Sequence, residues 1–207
     1  EWVLALIIKC SQKYQAELWG IDLTDRAINL TSKRLSIYNL KSNLSVADAE
    51  KTNFDDNFFD IIYSWGVIHH SPSTSKIVDE IFRILKPGGE ARIMIYHKWS
   101  IVGYILWLRY AFLKFKPWLS LDFIYSNHLE SPGTKAYTKR QAKRLFSNFS
   151  NISIDTVLTH ADLLNSDVGQ NHKGLFLKIA KKIWPRKILK FFLKKHGLFM
   201  LIKAKKD

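Results

Sequence analysis

Two aspartates stand where strand-like segments of the chain end. Asp22 ends the apolar segment at residues 17–22, and Asp48 ends a second segment at residues 44–48. A carboxylate at the end of a strand can accept two hydrogen bonds from a vicinal diol. Each acid also has a simpler interpretation, since Asp22 would serve as a helix cap or a solvated loop acid and Asp48 as a turn acid. The residue types leave both interpretations open.

Two adjacent histidines, His69 and His70, follow a third strand-like segment at residues 58–65. A neutral imidazole there could take a proton from a hydroxyl or a carbon acid, or it could only orient an acceptor. The alternative is a histidine pair hydrogen-bonded to the loop backbone, which is our interpretation of His70. Neighbouring histidines do not easily share one metal ion, and no Cys, Asp or Glu stands at ligand spacing from them. We therefore expect no metal site.

Strands and helices must alternate to position these side chains. Helices are predicted at residues 4–13, 25–38 and 77–85, and strands at residues 17–22, 44–48, 58–65 and 91–96. Thr24 or Asp25 can cap the second helix, and Lys-Pro-Gly-Gly at residues 86–89 should end the third and turn the chain into the next strand. This alternation predicts βαβ units and a parallel sheet, in which ligands bind at the carboxyl ends of the strands.

The pattern changes after residue 97. Residues 99–119 are rich in aromatic and aliphatic side chains, and residues 120–136 are predicted to be an irregular loop. The other predicted elements are a basic helix at residues 138–149 beginning with a Thr138 cap, a strand at 152–157, a basic amphipathic stretch at 174–195 broken at Pro185, and a strand at 198–204. Arg109 lies in the middle of the aromatic stretch, so a lid or an interfacial helix fits better than a membrane span.

Positive charge is confined to the second half of the chain. Residues 1–97 carry 11 Lys/Arg and 12 Asp/Glu, a net charge of −1, whereas residues 98–207 carry 21 and 6, a net charge of +15. Such a division is typical of a surface that binds a partner such as an anionic membrane or another polyanion, and a solvated basic face explains it equally well. No nucleic-acid-binding module is recognised, so nucleic acid is not expected as a partner. The single cysteine excludes a disulfide framework and fits a cytoplasmic protein, with peripheral membrane association if the basic half binds lipid.

Four stretches in a fixed order resemble class I S-adenosylmethionine-dependent methyltransferases. They are LWGIDLTDRAI (18–28), VADAE (46–50), FDDNFFDIIYSWGVIHH (54–70) and IFRILKPGGEARI (81–93). The resemblance covers about residues 1–97, and it is strongest for the group that includes the ubiquinone/menaquinone-pathway enzymes and other small-molecule methyltransferases. LFMLIKAK (198–205) resembles the closing strand of that family.

The resemblance implies an α/β, Rossmann-like fold with a mostly parallel sheet, helices on both faces and a helical lid. It implies a cofactor-binding core at residues 1–97, a lid and substrate region at 98–149, and C-terminal strands with basic amphipathic helices at 150–207 in the same domain. The family's glycine-rich loop lies between its first strand and first helix, but no glycine precedes Gly20. We therefore expect that strand and loop to be missing from this chain, which leaves the activity of the chain itself as a separate question.

The resemblance also implies roles for particular residues. Asp22, followed by Leu23, would bind the ribose of S-adenosylmethionine, and Asp48 would accept a hydrogen bond from the adenine amino group, with Ala49 leaving room for the ring. The backbone near Ser64 would face the methionine part of the cofactor.

The implied function is methyl transfer from S-adenosylmethionine to a small-molecule or amphiphilic acceptor, with His69 as the catalytic candidate facing that acceptor. The alternative function is a non-catalytic, basic module that binds a membrane surface or another partner.

Overall fold

A computed structural model describes residues 16–165, 182 and 184–207 of the 207-residue chain. The helix predicted at residues 4–13 and most of the basic stretch before Pro185 lie outside the described residues. The chain forms two compact units, Glu1–Asp55 and Asp56–Asp207. The division predicted at residues 97 and 149 stays a prediction.

The first unit contains two parallel strands joined by a helix. Strand β1 (Trp19–Asp22) pairs with β2 (Asn43–Val46), and α1 (Asp25–Ile37) connects them. Thr24 caps α1, because its Oγ1 accepts a hydrogen bond from the Ala27 amide at 3.3 Å. The predicted strands, the predicted cap and the βαβ connection are confirmed.

The second unit is built on a four-stranded sheet. Its strands are β3 (Phe59–Trp65), β4 (Leu85–Tyr96), β5 (Ser150–Val157) and β6 (Phe199–Lys205), in the spatial order β3-β4-β6-β5. β3 and β4 are parallel and are joined by α2 (Thr74–Ile84), whereas β6 runs antiparallel to both β4 and β5. The α/β class is confirmed, and the parallel pairs precede residue 97 as predicted.

The Lys-Pro-Gly-Gly segment differs from its prediction. α2 already ends at Ile84, and residues 86–89 lie within β4 instead of forming a turn ahead of it. The pairing of β3 with β4 shifts register across this segment, and Gly88 takes a left-handed φ of 79°. The Gly88 amide donates to the Lys206 carbonyl at 2.7 Å, so the segment extends the sheet towards the end of the chain. A glycine is needed there because a left-handed backbone carries a steric penalty for other residues.

Three helices follow β4: α3 (Ile101–Tyr110), α4 (Leu121–His128) and α5 (Lys139–Leu145). The prediction of an irregular loop over residues 120–136 is wrong for α4, which forms because Ser120 caps it and because Ile124 and Tyr125 are fully buried. α5 is shorter than predicted but begins at the predicted Thr138 cap, with Gln141 completing a capping box.

A last helix, α6 (Arg186–Phe192), follows Pro185 and precedes a 3-10 turn at Lys194–His196. Within the part of the chain that the structure describes, no helix combines the length and the apolar character needed to cross a bilayer.

Candidate functional site

Asp22 lies at the carboxyl end of β1 with its side chain exposed. Its Oδ1 accepts hydrogen bonds from the Thr24 amide at 2.9 Å and from the Thr24 hydroxyl at 2.8 Å. No described residue hydrogen-bonds to its Oδ2. The carboxylate is therefore fixed in direction by one oxygen, while the other can accept a hydrogen bond from a ligand. Leu23, beside it, is also exposed.

Asp48 lies at the same edge of the first unit, two residues past the Asp22↔Val46 pair of the parallel register. The Glu50 amide donates to its Oδ1 at 2.8 Å and the Lys51 amide donates to its carbonyl at 3.1 Å, so Asp48 also begins a turn. Each aspartate thus makes local turn bonds, and each remains exposed at the strand-end edge. Their binding of a ligand stays a prediction.

In the second unit the chain leaves β3 just after Ser64, which pairs with Ile93 in the parallel register. Gly66 takes a φ of 73°, a conformation that other residues adopt only with strain, and its amide donates to the Met94 carbonyl at 3.1 Å. This turn delivers the chain into a short 3-10 helix, Ile68–His70. The two histidines therefore lie directly beyond the carboxyl end of β3.

The His69 ring is buried completely, with 0% of its surface exposed. It packs between the rings of His70 and Tyr96, whose centroids lie 4.3 Å and 4.2 Å away. No described residue hydrogen-bonds to either of its ring nitrogens, although its carbonyl accepts a hydrogen bond from the Lys135 amide. A buried polar ring without a partner is rare in proteins.

Around His69 lies a polar network. The Tyr96 hydroxyl donates to Glu130 Oε1 at 2.8 Å, and Glu130 Oε2 lies 3.6 Å from His70 Nε2. The His70 Nδ1 atom lies 3.2 Å from both the Ser131 and the Thr134 hydroxyl. His70 is thus held by loop side chains, where the sequence interpretation expected loop backbone.

Burial determines the protonation of this network. Burial, with the neighbouring His70 as a smaller cause, lowers the pKa of His69 to about 3, so its imidazole is neutral near pH 7. Burial and the Glu130 carboxylate raise the pKa of Tyr96, which therefore stays a hydrogen-bond donor. A neutral imidazole with so low a pKa is a weak proton acceptor, and it is better suited to orient a ligand than to deprotonate one.

Sequence reasoning missed Tyr96, Glu130, Ser131 and Thr134. Tyr96 could have been predicted from the sequence, because it ends strand β4 and the carboxyl ends of neighbouring parallel strands lie at one edge of a sheet. Glu130 could have been singled out only by its rarity, because acidic residues are scarce in the basic half of the chain. Asp22 and Asp48 belong to the first unit, and Ser64 and the histidines to the second.

Metal-ligand side chains do not gather anywhere in the described residues: no group of three or more His, Cys, Asp or Glu could hold an ion.

Comparison with known proteins gives a consistent set of relatives. Residues 5–93 match the family described as "Methyltransferase domain". The chain is 33% identical over 89 residues to phosphoethanolamine N-methyltransferase 2 of Caenorhabditis elegans, and 27% identical over 84 residues to a ubiquinone/menaquinone biosynthesis C-methyltransferase of Neisseria meningitidis. These matches cover 42% and 41% of this chain, but only 20% and 34% of the respective relatives.

Solved structures extend the similarity beyond the matched segment. A phosphoethanolamine N-methyltransferase of Haemonchus contortus, solved with phosphomonomethylethanolamine and S-adenosylhomocysteine, aligns over 96% of this chain and 45% of its own, with 17% identity and a TM-score of 0.60. A geranyl diphosphate methyltransferase in complex with S-adenosylmethionine aligns over 97% of this chain and 73% of its own, with 10% identity and a TM-score of 0.63. At these identities the likeness establishes the Rossmann-like fold alone. None of these relatives supports the alternative of a non-catalytic module.

Proposed function

We propose that the chain is a class I S-adenosylmethionine-dependent methyltransferase that transfers a methyl group to a small-molecule acceptor, because its residues 5–93 match a methyltransferase domain. The observation that carries the proposal is the placement of Asp22 and Asp48 at one edge of a parallel strand pair, within the family's motif order. The curated relatives are much longer than the matched segments, so the activity of the whole protein rests on this proposal and its test.

The first unit supplies groups that fit the nucleoside part of S-adenosylmethionine. Asp22 has one carboxylate oxygen held by Thr24 and one available, which suits a ribose diol. We assign Leu23 beside it to the ribose region, and Asp48 with Ala49 to the adenine. When bound, the cofactor supplies an electrophilic methyl group on a sulfonium, so the protein's task is mainly positioning.

On the acceptor side we assign His69 an orienting role. Its ring is neutral, has no hydrogen-bond partner among the described residues and packs against the rings of Tyr96 and His70. Glu130 is half-exposed and holds the Tyr96 hydroxyl, so its carboxylate is placed to bind a hydroxyl or an amine of the acceptor. Because burial lowers the pKa of His69 to about 3, we do not assign it the role of accepting a proton from the acceptor.

The acceptor class follows from the relatives and from the composition of the helices after β4. The relatives' names specify nitrogen methylation of phosphoethanolamine and carbon methylation in ubiquinone/menaquinone biosynthesis. The region at residues 101–128 is rich in Trp, Tyr, Phe and Leu, which favours an acceptor with an apolar part over a wholly polar one. We therefore propose an amphiphilic small molecule.

Cofactor binding provides the first test. Isothermal titration of the full 207-residue chain with S-adenosylmethionine should show saturable binding, and Asp22→Ala should weaken it at least tenfold because the ribose loses a charge-assisted acceptor. The matched control is Asp25→Ala, which removes a neighbouring exposed acid at the start of α1. This variant should bind S-adenosylmethionine as the wild type does. If the full chain binds no cofactor, the proposed function fails for this chain. If Asp22→Ala binds normally, Asp22 is not in the site.

Acceptor turnover provides the second test. Release of S-adenosylhomocysteine would be followed with phosphoethanolamine and with a prenylated hydroquinone as probes. Turnover of the hydroquinone supports an amphiphilic acceptor, and turnover of phosphoethanolamine alone contradicts it. With an accepted probe, Glu130→Gln should raise the KM for that probe several-fold while leaving cofactor affinity unchanged. An effect confined to cofactor affinity would remove Glu130 from the acceptor side.

A further inference from the structure

An exposed aromatic turn follows α3. After Tyr110 the chain forms a 3-10 turn, Phe112–Lys114, and Phe115 then adopts a left-handed conformation with a φ of 56°. The side chain of Phe115 is 88% exposed and that of Trp118 is 74% exposed. Phe112 and Leu113, between α3 and Phe115, are also more than half exposed.

The turn is firmly built rather than loosely attached. The Lys116 amide donates to the Ala111 carbonyl at 2.9 Å, the Phe115 amide donates to the Phe112 carbonyl at 3.0 Å, and the Trp107 indole donates to the Leu119 carbonyl at 2.9 Å. A left-handed backbone costs a non-glycine residue about 1–2 kcal/mol, and an exposed Phe115 gains no burial in return. Such a strained, outward-facing aromatic residue indicates a function that the fold itself does not require.

The buried side of the same segment packs in the hydrophobic core of the second unit. Leu106 and Ala111 are buried in the cluster around Tyr125, so the exposed aromatic side chains are additional to the core of the second unit. α3 is therefore apolar on its buried and exposed sides alike, and Leu108 on the helix is 43% exposed. An apolar surface of this kind is covered by a partner in most proteins.

A second exposed apolar surface lies on α6. Phe191 and Phe192 are 79% and 73% exposed, Ile188 is also exposed, and α6 has no buried residue. The 3-10 turn that follows contacts the start of α3, since His196 Nδ1 lies 3.0 Å from the Trp99 carbonyl and 3.1 Å from the Tyr104 hydroxyl. The end of this segment thus lies beside the beginning of the segment that carries Phe115.

The charges around both surfaces have one sign. Lys114 and Lys116 flank Phe115, and exposed Lys187, Lys190 and Lys194 accompany α6. The sequence contains no Asp or Glu between residues 98 and 122, and none between residues 168 and 206. Two copies of this chain meeting through such surfaces would bring lysines against lysines, whereas anionic lipid headgroups would be attracted to them. Exposed aromatic residues beside lysines are suited to the headgroup region of a bilayer.

We propose that the turn at residues 112–118 and the exposed side of α6 together form a docking surface for an anionic lipid bilayer. Phe115, Trp118, Phe191 and Phe192 enter the headgroup region, and the lysines bind the lipid phosphates and carboxylates. This surface is independent of methyl transfer and would hold the chain on a membrane whether or not an acceptor is bound.

Vesicle flotation of the full chain tests the proposal. Vesicles of 70% phosphatidylcholine and 30% phosphatidylserine should bind the protein at 50 mM salt, several-fold less at 500 mM salt, and more strongly than vesicles of phosphatidylcholine alone. Lys114→Glu with Lys116→Glu should weaken binding roughly tenfold or more. The control pair Lys33→Glu with Lys41→Glu makes the same change of charge on exposed lysines of the first unit and should have a small effect.

The contribution of the aromatic side chains to binding distinguishes a lipid bilayer from other polyanions. Phe115→Ser should weaken binding to anionic vesicles several-fold with an unchanged circular dichroism spectrum, and Tyr38→Ser, at an exposed aromatic residue of the first unit, should not. The proposal is overturned if the protein does not float with anionic vesicles at low salt, if both charge pairs act equally, or if Phe115→Ser binds as the wild type does. A dimer that Phe115→Ser dissociates, without vesicle binding, would assign the surface to a second copy and would also overturn it.

Discussion

Single residues in this protein combine a local structural role with a proposed role in binding a ligand. Asp22 fixes the start of α1 through Thr24 and still presents a carboxylate oxygen, so one side chain serves the fold and the candidate site. His69 differs from Asp22, because its ring packs against neighbouring aromatic rings but forms no hydrogen bond to any described residue. His97 shares part of this character, with a buried ring and a lowered pKa of about 4.

The two buried histidines should make the protein sensitive to acid. A histidine whose pKa falls on folding binds protons more readily when unfolded, so its stabilising contribution is complete above about pH 6.5 and is lost as pH falls towards the folded value. Between pH 7.5 and pH 5, His69 and His97 should each cost about 2 kcal/mol of unfolding free energy. Urea unfolding at both pH values measures this loss.

His69→Phe is the informative variant for that measurement. Phe keeps the ring contact with Tyr96 but cannot be protonated, so the variant should lose about 2 kcal/mol less stability than the wild type on acidification. His160→Gln, at an exposed position, is the control and should follow the wild type. A wild-type curve that is flat between these pH values would contradict the burial argument.

At the scale of elements, α3 and α4 approach each other closely in the second unit. Gly103 of α3 faces Tyr125 of α4, and a Cβ at position 103 would lie 2.3 Å from the Tyr125 hydroxyl oxygen. That hydroxyl is held by Ser100 Oγ at 2.7 Å and by the His97 carbonyl at 3.0 Å. The glycine is therefore required by the close approach of a buried, hydrogen-bonded side chain rather than by a turn.

Gly103→Ala should destabilise the protein by about 1–3 kcal/mol, because the added methyl group overpacks a rigid contact. Tyr125→Phe should cost about 1–2 kcal/mol through the lost hydrogen bonds. Since the clash involves the hydroxyl, the double variant should be more stable than the sum of the two costs implies, and chemical denaturation of all four proteins measures this coupling. Strictly additive costs would show that Gly103 and Tyr125 do not interact.

At the scale of the whole molecule, charge is the dominant feature. The second half of the chain carries +15 and the first half −1, so repulsion between like charges opposes folding of the basic half. Surface ion pairs offset little of it, because a pair such as Lys98–Asp122 involves a well-exposed acid.

Salt should therefore stabilise the protein. Raising sodium chloride from 20 to 300 mM shortens the range of the repulsion and should raise the melting temperature by a few degrees. Lys194→Glu with Lys195→Glu lowers the net charge by four and should show a smaller increase in a thermal scan. A melting temperature that falls with salt would mean that attractive charge pairs outweigh the repulsion.

The sequence by itself determined the features that depend on neighbouring residues. The alternation of strands and helices from β1 to β4, the Thr24 and Thr138 caps, the position of Asp22 at the end of its strand and the closing strand were predicted correctly. Each of these follows from hydrophobic periodicity or from a hydrogen bond to a residue three or fewer positions away. The resemblance to methyltransferases rests on the same local motifs, and it was confirmed by the family match.

Only the tertiary structure decided which distant side chains meet. Tyr96 and Glu130 are 34 residues apart, and His70 and Glu130 are 60 apart, so no local spacing could bring them together in a prediction. α4 was missed because its helix depends on burying Ile124 and Tyr125, not on a strong local pattern. Burial likewise determines the protonation of His69, since desolvation arises only when distant segments close over the ring.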